Sequence, residues 1–209
     1  MPTAGLRVDA LADSLRERIL AGELKPGTPL REEALSSEYD VARHSLRSAL
    51  RTLQGEGIVQ IEPNRGARVK SLSPEDVRGL SELRIALEVE AARIALERGG
   101  GTFPKRVHRA LERLVASCRR ERASRGAVAE AHDAFHHEIV LAAASERLAE
   151  VHRQAGAELR LFVLQLPASW TLERIASDHV ELLARLEAEG ADALRPHIDE
   201  STRALLEQA

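Results

Sequence analysis

The chain has 209 residues, 44% of them hydrophobic and 30% charged, which is enough to bury the cores of two small domains or of one larger domain. No apolar run approaches the roughly 18 residues of a membrane-spanning helix, and no secretion signal opens the chain, so we expect a cytoplasmic protein without membrane contact. Aromatic residues at 2% argue against stacking on single-stranded nucleic acid, the single Cys118 excludes an internal disulfide, and the net charge of −3 leaves binding to duplex DNA open.

In residues 1–72 the hydrophobic pattern changes every few positions between helical, strand-like and turn-like, which indicates short elements joined by tight turns. Leu11, Leu15 and Ile19 recur at helical spacing, and Gly22 stands where that helix ends. The pattern then predicts a turn at 25–29, a helix at 32–39, a break at 40–42, a helix to Gln54, a strand at 58–61, a turn at 62–66 and a return strand at 67–69. Three helices followed by a two-stranded wing form a winged helix-turn-helix domain.

From residue 73 onward the sequence shows only helical periodicity. Ser73, Pro74 and Asp76 supply an N-cap, a first helical residue and a capping-box acid, so a new helix begins here. The predicted helices span 74–98, 104–122, 125–144, 146–166, 171–189 and 191–208. Residues 73–209 are therefore predicted to form an all-α six-helix bundle, and the whole chain is predicted to be mainly α.

The last helix of the helix-turn-helix carries a basic face. Arg43, Arg47 and Arg51 follow one another at i, i+4 spacing, and no acidic residue interrupts the stretch from Val41 to Gln54. Arginine presents a forked donor that fits both guanine edges and phosphates. Further residues at the helix start and the wing tip are placed to contact bases or backbone: His44, Ser45, Arg65 and Gly66. The alternative, an ordinary solvated helix face, is disfavoured by the order of the elements.

Four histidines lie in or beside apolar helical stripes of the second domain: His132, His136, His179 and His197. A single histidine in such a stripe is usually a hydrogen-bonded core residue, and this alternative stays open for each of them taken alone. Three different helices that each direct histidine inward are better explained by convergence on a metal ion. Imidazole ligands suit Zn²⁺, Ni²⁺ or Co²⁺, so the sequence predicts a divalent metal site.

The first domain resembles the GntR family of regulators over about 60 residues. The resemblance rests on the segments ILAGELKPG at 19–27, VARHSLRSALRTL at 41–53, EGIV at 56–59 and NRGARV at 64–69. It implies that Arg43, Arg47, the residues between them and the wing glycine, Gly66, contact operator DNA.

Three positions depart from the family pattern. Asp40 stands where a turn glycine is usual, although Asp tolerates the left-handed conformation better than most residues. Ala42 replaces a serine that would cap the recognition helix, and Ser48 replaces a glutamate. These departures concern the strength of the cap and the detail of the contacts rather than the fold.

The second domain resembles the FCD sensor domain of the FadR-like GntR subfamily. The resemblance rests on RIALE at 84–88, Phe135-His136 with a polar residue at 132, Asp178-His179 and His197-Ile198. It implies a divalent metal held by the four histidines and a carboxylate effector attached to that metal. His132 stands where Asp or Asn is usual, so Asp133 is an alternative ligand, and His197 follows a stretch that is about one turn short. Arg84 is a candidate contact for the effector carboxylate, with an ion pair to Glu88 as an equal alternative.

Together these features predict a ligand-responsive repressor. Residues 1–72 would bind a near-palindromic operator in double-stranded DNA, and residues 73–209 would bind a small carboxylic acid and form a homodimer. One alternative is a metal-dependent enzyme with a DNA-binding-like appendage, and another is an architectural DNA-binding dimer without an effector. We predict that the protein is not an enzyme, because no acid is evidently placed as general base and four protein ligands leave little room for an activated water.

Overall fold

The computed structural model describes residues 8–208, which fall into two compact units divided between Ser71 and Leu72. Within residues 8–208 no helix is both long enough and apolar enough to cross a membrane. Each unit has its own secondary structure and its own buried residues.

The first unit is a three-helix domain with a small sheet. Its elements are α1 (Val8–Leu20), β1 (Pro29–Leu30), α2 (Glu32–Glu38), α3 (Arg43–Gly55), β2 (Val59–Glu62) and β3 (Gly66–Val69). Helix α1 packs against α3 because each has an apolar face, and Leu15 of α1 and Leu46 of α3 are both 0% exposed. The predicted winged helix-turn-helix is confirmed.

The wing has one strand more than the sequence predicted. Strands β2 and β3 form the expected antiparallel hairpin, with Val59 opposite Val69 and Glu62 opposite Gly66. Strand β1 pairs with the other edge of β3, so that Pro29, the last residue of the predicted turn at 25–29, lies in a strand opposite Arg68. A strand of two residues is too short to show alternation, and proline is tolerated at a sheet edge because its missing N–H is not needed there.

The second unit is helical throughout its described part. Its helices are α4 (Pro74–Arg84), α5 (Glu90–Arg98), α6 (Lys105–Cys118), α7 (Arg125–Ala142), α8 (Glu146–Leu164), α9 (Leu172–Glu189) and α10 (Leu194–Leu206). The predicted helices are confirmed, with ends that differ by a few residues. The largest difference is at the end of α6, which stops at Cys118 rather than at residue 122.

The predicted helix at 74–98 is continuous but not uniform. Between α4 and α5 the backbone widens into a π-helical turn, Ile85–Val89. Single π-helical turns inside α-helices occur frequently at functional sites. Here the turn lies directly beside the histidines, because its Glu88 contacts His136 of α7.

Candidate DNA-binding surface and metal centre

The turn between α2 and α3 is built by Asp40 and Ala42. Asp40 adopts a left-handed backbone with φ of +50°, the conformation for which this position normally takes glycine. Ala42 is the N-cap of α3 and offers no side-chain hydrogen bond to the helix. The helix therefore begins at Arg43 with its first N–H groups unsatisfied by a side chain, and these groups are available to a phosphate.

Helix α3 separates a buried apolar face from an exposed basic face. Its buried residues are the four expected from the helical pattern: Leu46, Ala49, Leu50 and Leu53. The predicted DNA contacts Arg43, His44, Arg47 and Arg51 are all exposed, whereas Ser45 is half-buried. The exposed side chains can therefore reach a ligand that lies along this face.

Acidic residues of α2 partly neutralise the basic face. Arg47 Nε donates to Glu32 at 2.9 Å, and Arg43 lies 3.6 Å from Glu33. Both arginine side chains are more than half exposed, at 58% and 64%, and such exposed pairs are worth about 0–1 kcal/mol. The guanidinium groups can therefore exchange these carboxylates for phosphates or base edges at little cost.

The wing tip is a turn that contains two residues with left-handed backbone, Asn64 and Gly66. Asn64 and Gly66 both have positive φ, +63° and +77°, and these values reverse the chain between β2 and β3. Arg65 lies between them with 75% of its side chain exposed, held only loosely to Glu62 at 3.3 Å. The wing thus presents an exposed arginine at its tip, and its contact with DNA remains a prediction.

The four predicted histidines come together in the second unit. His132 and His136 are one turn apart on α7, His179 comes from α9 and His197 from the start of α10. Each offers one nitrogen, and these nitrogens all lie within 4.8 Å of one another. His136 and His179 are buried, while His132 and His197 are half-buried. Their role as metal ligands remains a prediction.

The four histidines are in the neutral form that can bind a metal cation. Burial, which disfavours the charged imidazolium, lowers the pKa of His132, His136 and His197 below the usual 6.5 and lowers the pKa of His179 to about 3. All four rings are therefore neutral at pH 7, and each retains a lone pair on one nitrogen.

The hydrogen-bond partners of two rings show where their lone pairs point. His179 Nδ1 lies 2.7 Å from the carbonyl oxygen of Ile175, and His136 Nδ1 lies 2.8 Å from a carboxylate oxygen of Glu88. Both Nδ1 atoms must therefore carry the proton, which leaves the two Nε2 atoms as acceptors. These Nε2 atoms face each other at 3.2 Å, close to the roughly 3.3 Å between two nitrogen ligands of a tetrahedral zinc ion. The residues present fit a divalent metal.

Asp133 packs against α8 and is not grouped with the four histidine nitrogens. Its carboxylate lies against α8, where Gly156 leaves room for it, and its Oδ1 is buried without a hydrogen bond. Burial raises the pKa of Asp133 to about 6. The structure groups His132, not Asp133, with the other three nitrogens.

Arg84 and Glu88 form a buried ion pair beside the histidines. Arg84 Nε donates to Glu88 at 2.8 Å, and both side chains are at most 5% exposed. Arg84 Nη2 also lies 3.4 Å from each ring nitrogen of His136. Arg84 therefore forms the ion pair with Glu88, and its contact with an effector remains a prediction.

A small cavity adjoins the cluster. Polar residues of α4, α7 and the π-helical turn line one side, and Leu159, Phe162 and Val163 of α8 line the other. Its volume is about 10 Å³, enough for about one water molecule. A larger ligand would require the surrounding side chains to move.

Sequence reasoning missed a second pair of histidines. His137 Nδ1 lies 3.2 Å from His152 Nδ1, and His152 is 1% exposed with its Nε2 3.6 Å from Glu88. The signal was present in α8, because His152 precedes the buried Gly156, Leu159 and Val163 at helical spacing.

Comparison with known proteins agrees with both domains. Residues 7–69 match the model of the gntR family of bacterial regulatory proteins, and residues 79–204 match the FCD domain. The chain therefore belongs to the GntR family and carries an FCD domain.

Curated relatives include regulators from several bacteria. The chain is 36% identical to BphR of Paraburkholderia xenovorans over 116 residues, 54% of this chain and 47% of that protein. It is 40% identical over 81 residues to the transcriptional repressor RspR of Escherichia coli, 39% of this chain and 36% of that protein. The matched segments thus span less than half the length of these two relatives. The repressor GlaR of E. coli is 26% identical over 88% of this chain and 89% of its own.

A solved GntR-type regulator from Rhodococcus sp. RHA1 shares the fold. It superposes with a TM-score of 0.80 at 24% identity and covers 97% of this chain and 99% of its own. The family and the relatives are transcriptional regulators, in agreement with the prediction that this protein is not an enzyme.

Proposed function

We propose that the protein is a ligand-responsive transcriptional repressor that binds a near-palindromic operator in double-stranded DNA as a homodimer. The exposed basic face of α3 carries this proposal, because Arg43, Arg47 and Arg51 line a helix whose other face is buried. A helix of this kind fits the major groove of B-DNA, and forked arginine donors suit guanine edges and phosphates. Arg65 at the wing tip adds a contact to the backbone or the minor groove.

The second unit is proposed to sense a small carboxylic acid beside a divalent ion. His132, His136, His179 and His197 would hold the ion, which when bound supplies a Lewis-acid position for a carboxylate oxygen. The chain itself supplies the surroundings of the effector. Leu159, Phe162 and Val163 of α8 offer an apolar wall for its carbon atoms and exclude water. Arg84 would orient its carboxylate, in exchange for part of its present bonding to Glu88.

The effector is proposed to release the repressor from DNA. A ligand shifts a conformational equilibrium only when it binds one state more tightly than the other. Enclosing an effector among the helices of the second unit would favour a dimer whose two recognition helices no longer match the half-site spacing. The coupling is reciprocal, so operator DNA should weaken effector binding by the same factor.

The DNA-binding half of the proposal is tested by selecting bound duplexes from a random pool and measuring affinity by fluorescence anisotropy. We expect a two-fold symmetric consensus, and we expect Arg47→Ala to weaken binding about 10- to 100-fold. Arg153→Ala, which removes an exposed arginine of α8, serves as the control and should bind as the wild type does. Selection without any enriched sequence would contradict the proposal.

The metal half is tested by elemental analysis of protein purified without chelator or histidine tag. We expect about one divalent ion per chain, retained in His108→Ala and lost in His136→Ala and His179→Ala, because only the latter two belong to the cluster. No metal in the wild type, even after reconstitution, would mean that the histidines are core residues or bind the effector directly. The DNA-binding proposal would stand in that case.

The effector is sought by adding a panel of small carboxylic acids to the metal-loaded wild type bound to its selected duplex. An acid that lowers DNA affinity in the wild type, but not in His179→Ala, supports the sensor function. If His179→Ala and His136→Ala leave both operator affinity and every ligand response unchanged, the protein is an architectural DNA-binding dimer instead.

A further inference from the structure

Glu88 is a fully buried carboxylate surrounded by basic groups. It is 0% exposed and lies in the π-helical turn between α4 and α5. One oxygen accepts from Arg84 Nε at 2.8 Å and lies 3.6 Å from His152 Nε2. The other lies 2.8 Å from His136 Nδ1 and accepts from Arg84 Nη2 at 3.3 Å. A buried ion pair gains little stability over well-packed apolar side chains, so this arrangement calls for a reason beyond chain packing.

The contact of Glu88 with His136, unlike its ion pair with Arg84, selects between two tautomers of the partner side chain. A neutral imidazole can hold its proton on either nitrogen, and the partner of one nitrogen decides which. A carboxylate at Nδ1 places the proton there and leaves the lone pair on Nε2. That Nε2 is the atom that faces His179 Nε2 at 3.2 Å within the cluster. Glu88 therefore determines both the tautomer and the ring orientation of His136.

The backbone around Glu88 departs from the regular α-helix. In a π-helical turn the hydrogen bonds run to the fifth residue, so the turn holds more residues than an α-helical turn. Arg84 and Glu88 are four apart, and the turn begins immediately after Arg84. The Glu88 carboxylate thus contacts Arg84 along the helix and His136 of α7 from within this turn.

We propose that Glu88 is a positioning residue of the metal centre, which fixes the His136 imidazole with its Nε2 toward the site. The inference rests on the proposed function, because it assumes that the four histidines bind a divalent ion. His152 of α8 lies near Glu88 without a hydrogen bond to it, at 3.6 Å between Nε2 and the carboxylate oxygen. Substituting a carboxylate that orients a ligand histidine in this way typically weakens metal binding about 10- to 100-fold.

The competing explanation is that Glu88 only neutralises the buried Arg84. In that case removing both charges together would restore metal affinity, since no unpaired cation would remain. If Glu88 positions His136, the double variant stays weak, because the imidazole has lost its anionic acceptor whatever happens at position 84.

The experiment measures Co²⁺ and Zn²⁺ affinity of the full chain by competition with a chelator, together with the visible spectrum of bound Co²⁺. We expect Glu88→Ala and Arg84→Gln/Glu88→Ala, which leave no acceptor at position 88, to bind both ions about 10- to 100-fold more weakly than the wild type. Glu82→Ala removes the same charge on the exposed side of the same helix and should bind as the wild type does. Circular dichroism verifies that each variant is folded.

A second measurement uses only the wild type, so it tests the inference even if the variants do not fold. In the Zn²⁺-loaded protein, the ¹⁵N chemical shifts of His136 should show a protonated Nδ1 and a metal-bound Nε2. A metal-bound Nδ1 would overturn the inference, as would wild-type affinity in Glu88→Ala or restored affinity in the double variant. A wild type that binds neither ion contradicts the proposed metal centre and this inference with it.

Discussion

Asp133 carries a carboxylate in a place that favours its neutral form. Its Oδ1 is buried without a hydrogen bond, and burial raises its pKa from 3.8 to about 6. Because the pKa is higher in the folded protein than in the unfolded chain, ionisation of this group lowers the free energy of unfolding. The loss begins as the pH rises above about 4 and is complete above about 6.

We therefore expect Asp133→Asn to stabilise the metal-free protein at pH 7.5, since the amide stays neutral at every pH. The shift corresponds to at most about 3 kcal/mol, or several degrees in Tm. Thermal unfolding in the presence of chelator should show this gain at pH 7.5 and should show it fading towards pH 4. The exposed Asp199→Asn is the control. A lower Tm for Asp133→Asn at pH 7.5 would show that the carboxylate has a stabilising partner.

The residues around the histidines show how far sequence reasoning reaches at this scale. His136 and His179 were identified because apolar neighbours at helical spacing mark the buried face of a helix. The choice between His132 and Asp133 could not be made from sequence, since it depends on how α7 is rotated against α8. Glu88 was recognised only as a possible partner of Arg84, because its contact with His136 joins residues that are far apart in the chain.

At the scale of elements, α3 lacks a side-chain hydrogen bond at its N-cap. Its N-cap, Ala42, has the extended backbone of a capping residue, with φ of −67° and ψ of 144°, but no side-chain acceptor. A serine hydroxyl at this position could accept a hydrogen bond from an N–H of the first turn. The four helices α4, α7, α8 and α9 already use serine or threonine in this way.

We expect Ala42→Ser to stabilise the first unit by about 1 kcal/mol. Differential scanning calorimetry of the full chain measures the gain. The same exchange at Ala184, an exposed position inside α9, provides no free N–H to bond and should lower stability by a few tenths of a kcal/mol. Equal effects of the two substitutions would show that helix propensity, and not capping, governs the result.

Most of the helices were predictable because their apolar pattern extends over more than one turn. The helices of the second unit have apolar stripes, and Ser73 with Asp76 marks the start of α4 through a capping box that the structure contains. Strand β1 has only two residues and therefore shows no period. The π-helical turn escaped prediction because an extra residue in one turn barely disturbs a helical pattern.

At the scale of the whole molecule, the proposal requires two copies of the chain. A single α3 contacts only a few base pairs, whereas two copies related by a two-fold axis contact half-sites about 10.5 base pairs apart on one side of the duplex. The affinity of the full operator should then depend on the distance between the half-sites as strongly as on their sequence.

We expect an insertion of five base pairs at the centre of the selected operator to reduce the affinity to that of an isolated half-site. The insertion turns one half-site by about half a helical turn, so that it faces away from the second recognition helix. Fluorescence anisotropy measures the loss, and the control exchanges central base pairs without changing the length. If the five-base-pair insertion and the isolated half-site both bind as tightly as the intact operator, the protein binds as a monomer. An effector would then have no dimer geometry to change, and its action would have to lie within one chain.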